Sequence, residues 1–552
     1  MIGVSRQAQG FTQPQEQKLQ ITTLPAPNGG VDARAALGNQ ELDNSIYSYN
    51  VVPNELGMTV RSGYREWCTG LDNGASNQGV RTIIVFDGSV TEPSDNRLFA
   101  ITNEGIWDIT TYNAPVFTAA AFPDTTGEAG YGVFCHYTDE AGEDFLFYAD
   151  SVNGLWEYTA SSGVWAASTG IIGPDSTKVA FIMIHKQRLW LVEQDSTVGW
   201  YLPIASKNGQ ATEFFFGAKF THGGELFALI NWSVDGGIGL DDYLVAVSSA
   251  GDVIPYQGGD PSITTGADAW NTRGTYFIGK VPQGRRFFSE YSGELYLLSS
   301  FGVIAMSDLL RGVDSRDNSH KSLTFPISIY LRKALFETSE QLGWEPEFLP
   351  SRGLLLINSP RNNTTGKEIQ YSMNIATEGW GLFRDVPSQV FAEWDNRIFF
   401  GTLDNRVCIM DTPRDDVLID QNDPLADGKP ILFSLLSAYS DAGAPGRFKR
   451  GQMVRADFIS ELDIAFRSKI LYDYEIGEKF YPITGLPEES VGAWDIGVWE
   501  TSVWGAGEPI NKNKLQGTSG MGRMLAIAIQ GEAVDTARLL SFDVMWLDGG
   551  PI

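Results

Sequence analysis

The dominant pattern along the chain is an alternation of apolar and polar residues that returns in short paired segments. Each pair has an apolar or aromatic strand, a polar turn with Gly, Asn, Asp or Ser, and a second strand that opens with an apolar residue. NRLFAITNEGIWDIT from Asn96 and DFLFYADSVNGLWEYT from Asp144 are two examples. Alternation with a period of two buries one face of a strand, and turns of this composition close hairpins. The pattern therefore predicts β-hairpins over most of the chain.

The hairpins recur at a blade-sized interval. Their leading residues are 48, 43, 55, 51, 60 and 43 positions apart, so each unit holds three or four short strands, the size of one propeller blade. One such sheet cannot cover both of its faces and must pack against neighbours around a ring. We predict an all-β chain with a β-propeller of about six to eight blades at residues 78–429; irregular hairpins packed as sandwiches are the alternative. The leading residues are Leu98, Leu146, Leu189, Leu244, Leu295, Leu355 and Ile398.

Two segments break or end the hairpin pattern. Residues 326–343 have apolar positions near helical spacing, with Pro early and Gly at the end, and predict a helix inserted between blades. An Asp-rich run at residues 411–430 has the composition of a linker. Beyond it, residues 430–552 resume as strands, and their length fits a C-terminal β-sandwich that folds on its own.

The N-terminal region is expected to be extended. Residues 1–23 form a polar, Gln-rich arm, and residues 24–77 form an extended segment that packs on the propeller. The first residues contain no apolar stretch of signal-peptide length, and no 18 apolar residues run together, so we expect no membrane span. Three cysteines that are far apart, Cys68, Cys135 and Cys408, predict buried thiols in a chain made in a reducing cytoplasm.

The charge balance bears on nucleic-acid binding. Lys and Arg number 40 and Asp and Glu 68, which gives a net charge of −28. Such an acid surplus argues against a protein whose main task is to grip phosphates. One basic cluster interrupts the surplus, and we single out Arg447, Lys449 and Arg450 in it as possible interaction residues for DNA or an acidic neighbouring subunit. The alternative is a solvated or salt-bridged turn.

The sequence contains no motif that would identify an enzyme. The four histidines are scattered, and neither a Walker loop, a Rossmann glycine pattern nor a GxSxG elbow occurs. We therefore assign no catalytic, cofactor-binding or metal-binding residue and no cofactor. Two acidic runs, one with Asp235, Asp241 and Asp242 and one from Asp411 to Asp427, could offer oxygen ligands to calcium. Solvated loop carboxylates are the preferred interpretation of both.

Several stretches resemble the tail-hub, or tail-nozzle, proteins of short-tailed phages. The resemblance is densest at residues 24–71, where a PAP-x-GG segment precedes an N-x-x-P strand and an RxGY strand. LINSP, NRIFFGTLDNRVCIMD, SAYSDAGAPGRFKR, WDIGVWETSVW and the terminal MWLDGGPI follow in the family's order. The polar arm before Thr22 and the acidic run at residues 411–427 are departures from the family's pattern. The positions that carry the densest part are Pro25, Ala26, Pro27, Gly29, Gly30, Arg34, Asn50, Pro53, Arg61, Gly63, Tyr64, Gly70 and Leu71.

The resemblance implies a structural virion protein that is not an enzyme. Members of the family are similar to packaged-DNA stabilisation proteins and form a homo-oligomeric ring, sixfold by this resemblance, in the virion tail. The implied partners are the portal-adaptor protein above, tail fibre, tailspike or needle proteins, and genomic DNA that passes through the lumen without tight binding. The net charge leads us to expect an acidic lumen that repels DNA; an acid excess on the outer surface, for solubility, is the alternative. We expect no membrane partner.

A second class of function stays open at this stage. A tail-associated carbohydrate-binding or glycan-degrading β-propeller would also be all-β and rich in aromatic residues. In that case exposed tryptophans, such as Trp494, Trp499 and Trp504, would stack on sugar rings. Packing of these three side chains in a core is the competing interpretation.

Overall fold

The structure is a computed structural model, and it describes most of the chain. The described residues are 18–34, 36–72, 79–88, 95–122, 128–235, 240–263, 265–266, 269–311, 322–362, 366–419, 428–460, 464–477 and 510–551. Within them the fold is all-β, with a propeller and a two-sheet sandwich. The N-terminal strands are β1 (Leu19–Pro25), β2 (Gly30–Val31), β3 (Asn44–Tyr49), β4 (Val51–Asn54), β5 (Gly57–Val60) and β6 (Gly63–Cys68).

The first four sheets of the propeller follow along the chain. The first sheet has β7 (Val80–Phe86), β8 (Arg97–Thr102), β9 (Gly105–Asp108) and β10 (Val116–Ala121). The second has β11 (Val133–Thr138), β12 (Asp144–Asp150), β13 (Gly154–Thr159) and β14 (Val164–Ala167). The third has β16 (Val179–His185), β17 (Arg188–Glu193), β18 (Val198–Tyr201) and β20 (Thr212–Phe215), with a small parallel pair, β15 (Ile171–Ile172) and β19 (Gly209–Gln210), beside it. The fourth has β21 (Leu226–Asp235), β22 (Leu240–Ser248), β23 (Asp252–Gln257), β24 (Asn271–Thr272) and β25 (Tyr276–Phe277).

Three more sheets complete the propeller. The fifth has three strands, β26 (Phe288–Tyr291), β27 (Glu294–Ser299) and β28 (Gly302–Ala305). The sixth is β29 (Glu345–Leu349), β30 (Leu354–Asn358), β31 (Ile369–Asn374) and β32 (Trp380–Arg384). The seventh is β33 (Ser388–Trp394), β34 (Arg397–Thr402) and β35 (Val407–Thr412), and β6 from the N-terminal region adds its fourth strand.

The predicted repeat is confirmed strand by strand. Its seven leading residues fall on the second strand of each successive sheet and are 0–3% exposed. Six of these sheets have at least four strands. A shared core with Trp67, Val80 and Phe399 packs the seventh sheet against the first, so the sheets close into a ring. Strand β6 precedes the first sheet along the chain and pairs with β35 of the seventh sheet, so it also holds the ring closed.

The predicted inserted helix is present. After α1 (Met306–Leu310) and a short 3-10 turn, α2 (Ser328–Thr338) follows the fifth sheet. Leu331 and Leu335 are buried, as the spacing predicts, whereas Ile329 and Phe336 are 60% and 90% exposed. These two side chains lie on the solvent-facing side of the helix.

The sandwich packs two sheets around one core. Its C-terminal strands are β36 (Ile431–Ser437), β37 (Arg447–Ser460), β38 (Ala465–Tyr472), β39 (Ile510–Gly517), β40 (Met521–Gly522), β41 (Leu525–Ala533) and β42 (Ala537–Pro551). The first of its sheets, called sheet A here, contains β39, β37, β42, β5 and β4, with β1 beside β42 and β40 beside β37. The other is part of a nine-stranded sheet that runs from β29 to β32, through β2 and β3, to β36, β41 and β38.

The domain boundaries therefore differ from those predicted. The expected arm at residues 1–23 overlaps β1, which pairs with β42 over all seven of its residues. The segment at residues 24–77 was expected to pack on the propeller, but β1 to β5 lie in the sandwich sheets. Leu24, Val51 and Met58 belong to the sandwich core, so the C-terminal strands are completed by the N-terminal ones. The long-range strand pairing that decides this leaves no local signal.

Propeller and sandwich meet at a buried ion pair. The Arg61 guanidinium donates to both carboxylate oxygens of Asp415 over 2.6 and 2.7 Å. It also donates to Asn50 Oδ1 at 3.0 Å and to the carbonyl of Arg384 at 3.3 Å. Asn50 in turn donates to the carbonyl of Leu432 in the sandwich. We call Arg61, Asp415 and Asn50 the joint, because their bonds connect the sixth sheet, the strand after the seventh sheet, and β36.

Removing the cation of the joint should destabilise the protein. In Arg61→Met the Asp415 carboxylate loses its partner while it stays buried, which typically costs about 3–5 kcal/mol. The double variant Arg61→Met/Asp415→Leu should recover most of this loss, because the uncompensated charge is gone. Urea unfolding of the full chain measures both effects. A single variant as stable as the parent would contradict the assigned role of the joint.

Candidate functional site: the propeller axis and the basic strand

The axis of the propeller is surrounded by the first strand of each sheet. These strands, β7, β11, β16, β21, β26, β29 and β33, each form one edge of their sheet, and several of them pack against the first strand of a neighbouring sheet. Charged residues lie at or just before the beginning of several of them: Arg81, Arg286 and Glu345. We call these residues, with Glu347, the axial cluster.

Arg286 crosses from the fifth sheet to the first. Its guanidinium donates to the Arg81 carbonyl at 3.0 Å and to the Thr82 hydroxyl at 3.2 Å, both on β7. The same group lies 3.5 Å from a carboxylate oxygen of Glu345 on β29. One side chain thus connects the fifth and sixth sheets to the first, which lies about 200 residues earlier in the chain. Its side chain is only 9% exposed, so these bonds are shielded from water.

An aromatic ring packs against this guanidinium. Tyr131 lies under Arg81 and Arg286, with guanidinium carbons 5.1 and 5.8 Å from the ring centre. Burial raises the pKa of Tyr131, and the two cations act against that rise. Arg81 also donates to the carbonyl of Ala129. The guanidinium groups of Arg81 and Arg286 and the ring of Tyr131 therefore lie between the first strands near the propeller axis. An open channel along the axis would need this space to be empty.

Carboxylates continue the cluster along β29. Glu345 and Glu347 alternate with Pro346 and Phe348, which are buried on the opposite side of the strand. Burial raises the pKa of Glu345, and Arg286 acts against it. For Glu347, burial, then the neighbouring Glu345 and the more distant Glu393, raise the pKa to about 8. A carboxyl group with this pKa is mostly protonated at pH 7, so it can donate a hydrogen bond.

A cleft opens beside the cluster, between the seventh and first sheets. It has a volume of about 570 Å³ and is lined by Glu393, Trp394 and Asp395 of the β33–β34 turn together with Asp87 and Arg97. An aromatic ring beside several carboxylates is an arrangement that suits polar ligands such as sugars. None of these cleft residues belongs to a site that the sequence predicts.

The predicted basic residues are not equivalent in the structure. Lys449 is 0% exposed, and its ammonium donates to the carbonyls of Ala444, Arg447 and Arg523 at 2.7–3.1 Å. Burial lowers the pKa of Lys449. It therefore supports the turn before β37 and is not available as a surface contact. The prediction overlooked that neighbouring strand positions face opposite sides of a sheet.

The other two predicted basic residues, Arg447 and Arg450, do face solvent. Arg447 is half exposed and forms an ion pair with Asp548. Arg450 lies on the outer face of sheet A, opposite Leu547 on β42 and Met521 on β40. Among the described ion pairs none involves Arg450, so its charge is available to a partner.

Three carboxylates of the longer acidic run are bound to basic side chains. Asp411 bonds Arg65, Asp415 belongs to the joint, and Asp416 accepts from Arg406 and Lys429. Asp420, Asp423 and Asp427 lie outside the described residues, as do Trp494, Trp499 and Trp504. Asp235, Asp241 and Asp242 belong to the hairpin of β21 and β22. Within the described ranges, no group of three His, Cys, Asp or Glu side chains is placed to hold a metal ion.

The axial cluster was missed in the sequence, and so was the pairing of Arg61 with Asp415 that forms the joint. A signal for the first exists: RRFF at residues 285–288 and WEPEF at residues 344–348 set charges between buried apolar residues at strand beginnings.

The three cysteines are free, with Cys68 and Cys408 buried and Cys135 half-buried. No helix in the described part of the chain has the length and apolar character needed to cross a membrane.

Comparisons with known proteins are remote. No protein-family profile matches the chain, and no curated protein matches it. Among solved structures, the extracellular domain of the putative hybrid two-component system BT3049 from B. thetaiotaomicron matches with a TM-score of 0.37 and 13% identity, over 66% of this chain and 46% of that one. BBS1N in complex with ARL6DN matches with a TM-score of 0.27 and 12% identity, over 40% of this chain and 62% of the other. Likenesses this weak carry no functional argument.

The raised pKa of Glu347 predicts a pH-dependent stability. The unfolded chain ionises Glu347 near pH 4.5 and the folded chain near pH 8, so this group lowers the free energy of unfolding as the pH rises between those values. Glu347→Gln should be more stable than the parent by about 1–3 kcal/mol at pH 8.5 and equal to it below pH 4.5. Urea unfolding at a series of pH values measures the difference. Glu55→Gln, in the exposed β4–β5 turn, should show no such trend; a pH-independent effect of Glu347→Gln would contradict this account.

Proposed function

We propose that the protein is a structural component of a short-tailed phage tail. It would form the hub, or nozzle, ring below the portal and adaptor, extend the DNA channel, retain the packaged genome and let it pass on ejection. The observation that carries the proposal is that residues of the family-like segment build the joint. Asn50 and Arg61 supply its hydrogen bonds, and Gly63 lies so near it that a Cβ there would be 2.1 Å from the Arg414 carbonyl oxygen.

Other motif residues of the family-like segment, residues 24–71, also make packing contacts between strands. Gly30, at φ 78°, leaves no room for a Cβ, which would lie 2.4 Å from the Trp380 nitrogen. Tyr64 packs edge-on against Phe400 with ring centres 5.2 Å apart. Motif residues with such contacts hold sheets together, which is what a part that bears load in an assembly requires. The proposal assigns no catalytic residue and no cofactor.

The axial cluster bears on where DNA would travel. Arg81, Arg286 and Tyr131 occupy the propeller axis at one level. A duplex is far wider than the gap between such first strands, so the proposed channel would lie between the subunits of a ring. Each subunit adds a charge of −28, and carboxylates facing the lumen would repel the phosphates.

Duplex DNA should pass this protein without being held. In an electrophoretic mobility assay at about 50 mM salt, where phosphate attraction is strongest, the purified full chain should not retard a duplex. Sub-micromolar binding that weakens with salt would mean that the protein clamps DNA. Arg450→Glu is the matched variant, because loss of any retardation in it would locate the contact on sheet A.

Electron micrographs of the tail of the phage that encodes the chain test the assignment itself. The proposal requires density for this propeller in one cyclic ring below the adaptor. A virion without the protein, or with the protein outside the tail, contradicts it.

The cleft beside the axial cluster favours one second candidate, a carbohydrate-binding or glycan-degrading tail protein. Trp394 offers a ring, and Asp87, Glu393 and Asp395 offer carboxylates, around about 570 Å³. Retention or cleavage of a host polysaccharide by the purified protein, with loss in Trp394→Ala, would favour this candidate over the structural role.

A further inference from the structure

The outer face of sheet A carries an apolar patch that crosses four strands. Met453 and Met545 alternate with Val454 and Val544, which are buried in the sandwich core, so the methionines face outward. Strand register places their outward neighbours in rows. The rows are Leu19, Leu547, Arg450 and Met521; Ile21, Met545 and Met453; and Thr23, Asp543, Arg455 and Leu515. We call the first two rows, with Leu515, the outer patch.

The apolar side chains of the patch are exposed to solvent. Its five most exposed apolar residues are Leu19 at 52%, Ile21 at 61%, Met453 at 41%, Leu515 at 51% and Met521 at 55%. Contiguous exposed apolar surface on a soluble chain marks an interaction site. Methionine side chains adapt to the shape of a partner and are common at such sites.

Charge indicates the kind of partner. Arg450 stands within the patch, while Arg455 is already paired with Asp543 at its border. Residues 430–552 hold 11 Lys or Arg and 16 Asp or Glu, whereas residues 1–429 hold 29 and 52. Residues 1–429 therefore contribute 23 of the 28 excess negative charges. A second copy of the chain offers the patch an acidic surface.

One region of the propeller combines acidity with exposed apolar residues. Residues 128–215, which form the second and third sheets, hold eleven Asp or Glu and four Lys or Arg. Their exposed apolar residues on or near outer strands include Val164, Ile172, Ile204 and Phe215, each at least 51% exposed. The outer patch itself contains no carboxylate, so pairing of two outer patches would leave Arg450 without an acidic partner.

We propose that the outer patch of one copy docks on the second and third sheets of the next copy. This inference rests on the proposed ring-forming function and names the surfaces that would build the ring. Because the two surfaces differ, the contact is heterologous, and a heterologous contact closes into a ring when its rotation divides a full turn. Apolar contact supplies affinity, and Arg450 against carboxylates sets the orientation.

Photo-crosslinking between distinguishable copies tests the docking. The photoreactive residue p-benzoylphenylalanine replaces Met453 in the full chain, which is mixed at high concentration with a ¹⁵N-labelled copy, illuminated and analysed by mass spectrometry. Crosslinks to labelled residues 128–215 are expected. Crosslinks to labelled sheet A, or no crosslink between copies, overturn the proposal.

Charge reversal provides the matched comparison. Arg450→Glu in the photoreactive chain should lower the crosslink yield about fivefold or more, because a favourable contact with carboxylates becomes repulsive. Arg332→Glu, at an exposed position on α2, should leave it unchanged. Equal losses in both variants would show that overall charge matters and would overturn the role of Arg450.

The outcome is separable from that of the proposed function. If the virion tail contains a ring of this protein whose subunits meet through other surfaces, the docking is wrong and the function stands. If the protein is absent from the virion, the function is wrong, whatever the crosslinks show.

Discussion

The buried contact between Arg61 and Asp415 is the constraint on which the rest of the structure depends. It lies where the N-terminal strands leave the sandwich, β6 enters the last propeller sheet, and the chain returns from the propeller toward β36. Burial raises the pKa of Asp415 and Arg61 opposes that rise, so each group makes the burial of the other tolerable. Such a pair contributes more to the choice of one geometry than to net stability. Here the geometry is the relative position of propeller and sandwich.

The shared nine-stranded sheet extends that constraint. A ladder that passes from β29–β32 through β2 and β3 to β36 joins the two parts directly at this point. Asp415 and Asp416 of the Asp-rich run form ion pairs, and residues 420–427 of that run lie outside the described residues. A rigid connection of this kind suits a subunit whose two ends contact different neighbours in an assembly.

The distribution of charge is as informative as its total. A net charge of −28 suggested a chain that repels DNA, and residues 1–429 contribute 23 of these excess negative charges. At the propeller axis, the Arg286 guanidinium lies 3.5 Å from Glu345, and burial raises the pKa of Glu345 and Glu347. Charged groups therefore connect different sheets at two buried places, the propeller axis and the joint.

What the sequence determined by itself is the local part of the fold. The leading residues of the hairpins, from Leu98 to Ile398, marked the second strand of every propeller sheet, because period-two alternation and turn residues act over a few positions. Helix α2 was also predicted, although its apolar residues Ile329 and Phe336 are exposed. Only the tertiary structure decided which distant segments meet: β6 with the seventh sheet, β1 with β42, Arg286 with β7, and Arg61 with Asp415. It likewise decided that Lys449 is buried while Arg450 faces outward. The reason is physical, since partners separated by hundreds of residues are selected by the packing of whole sheets, which no local pattern encodes.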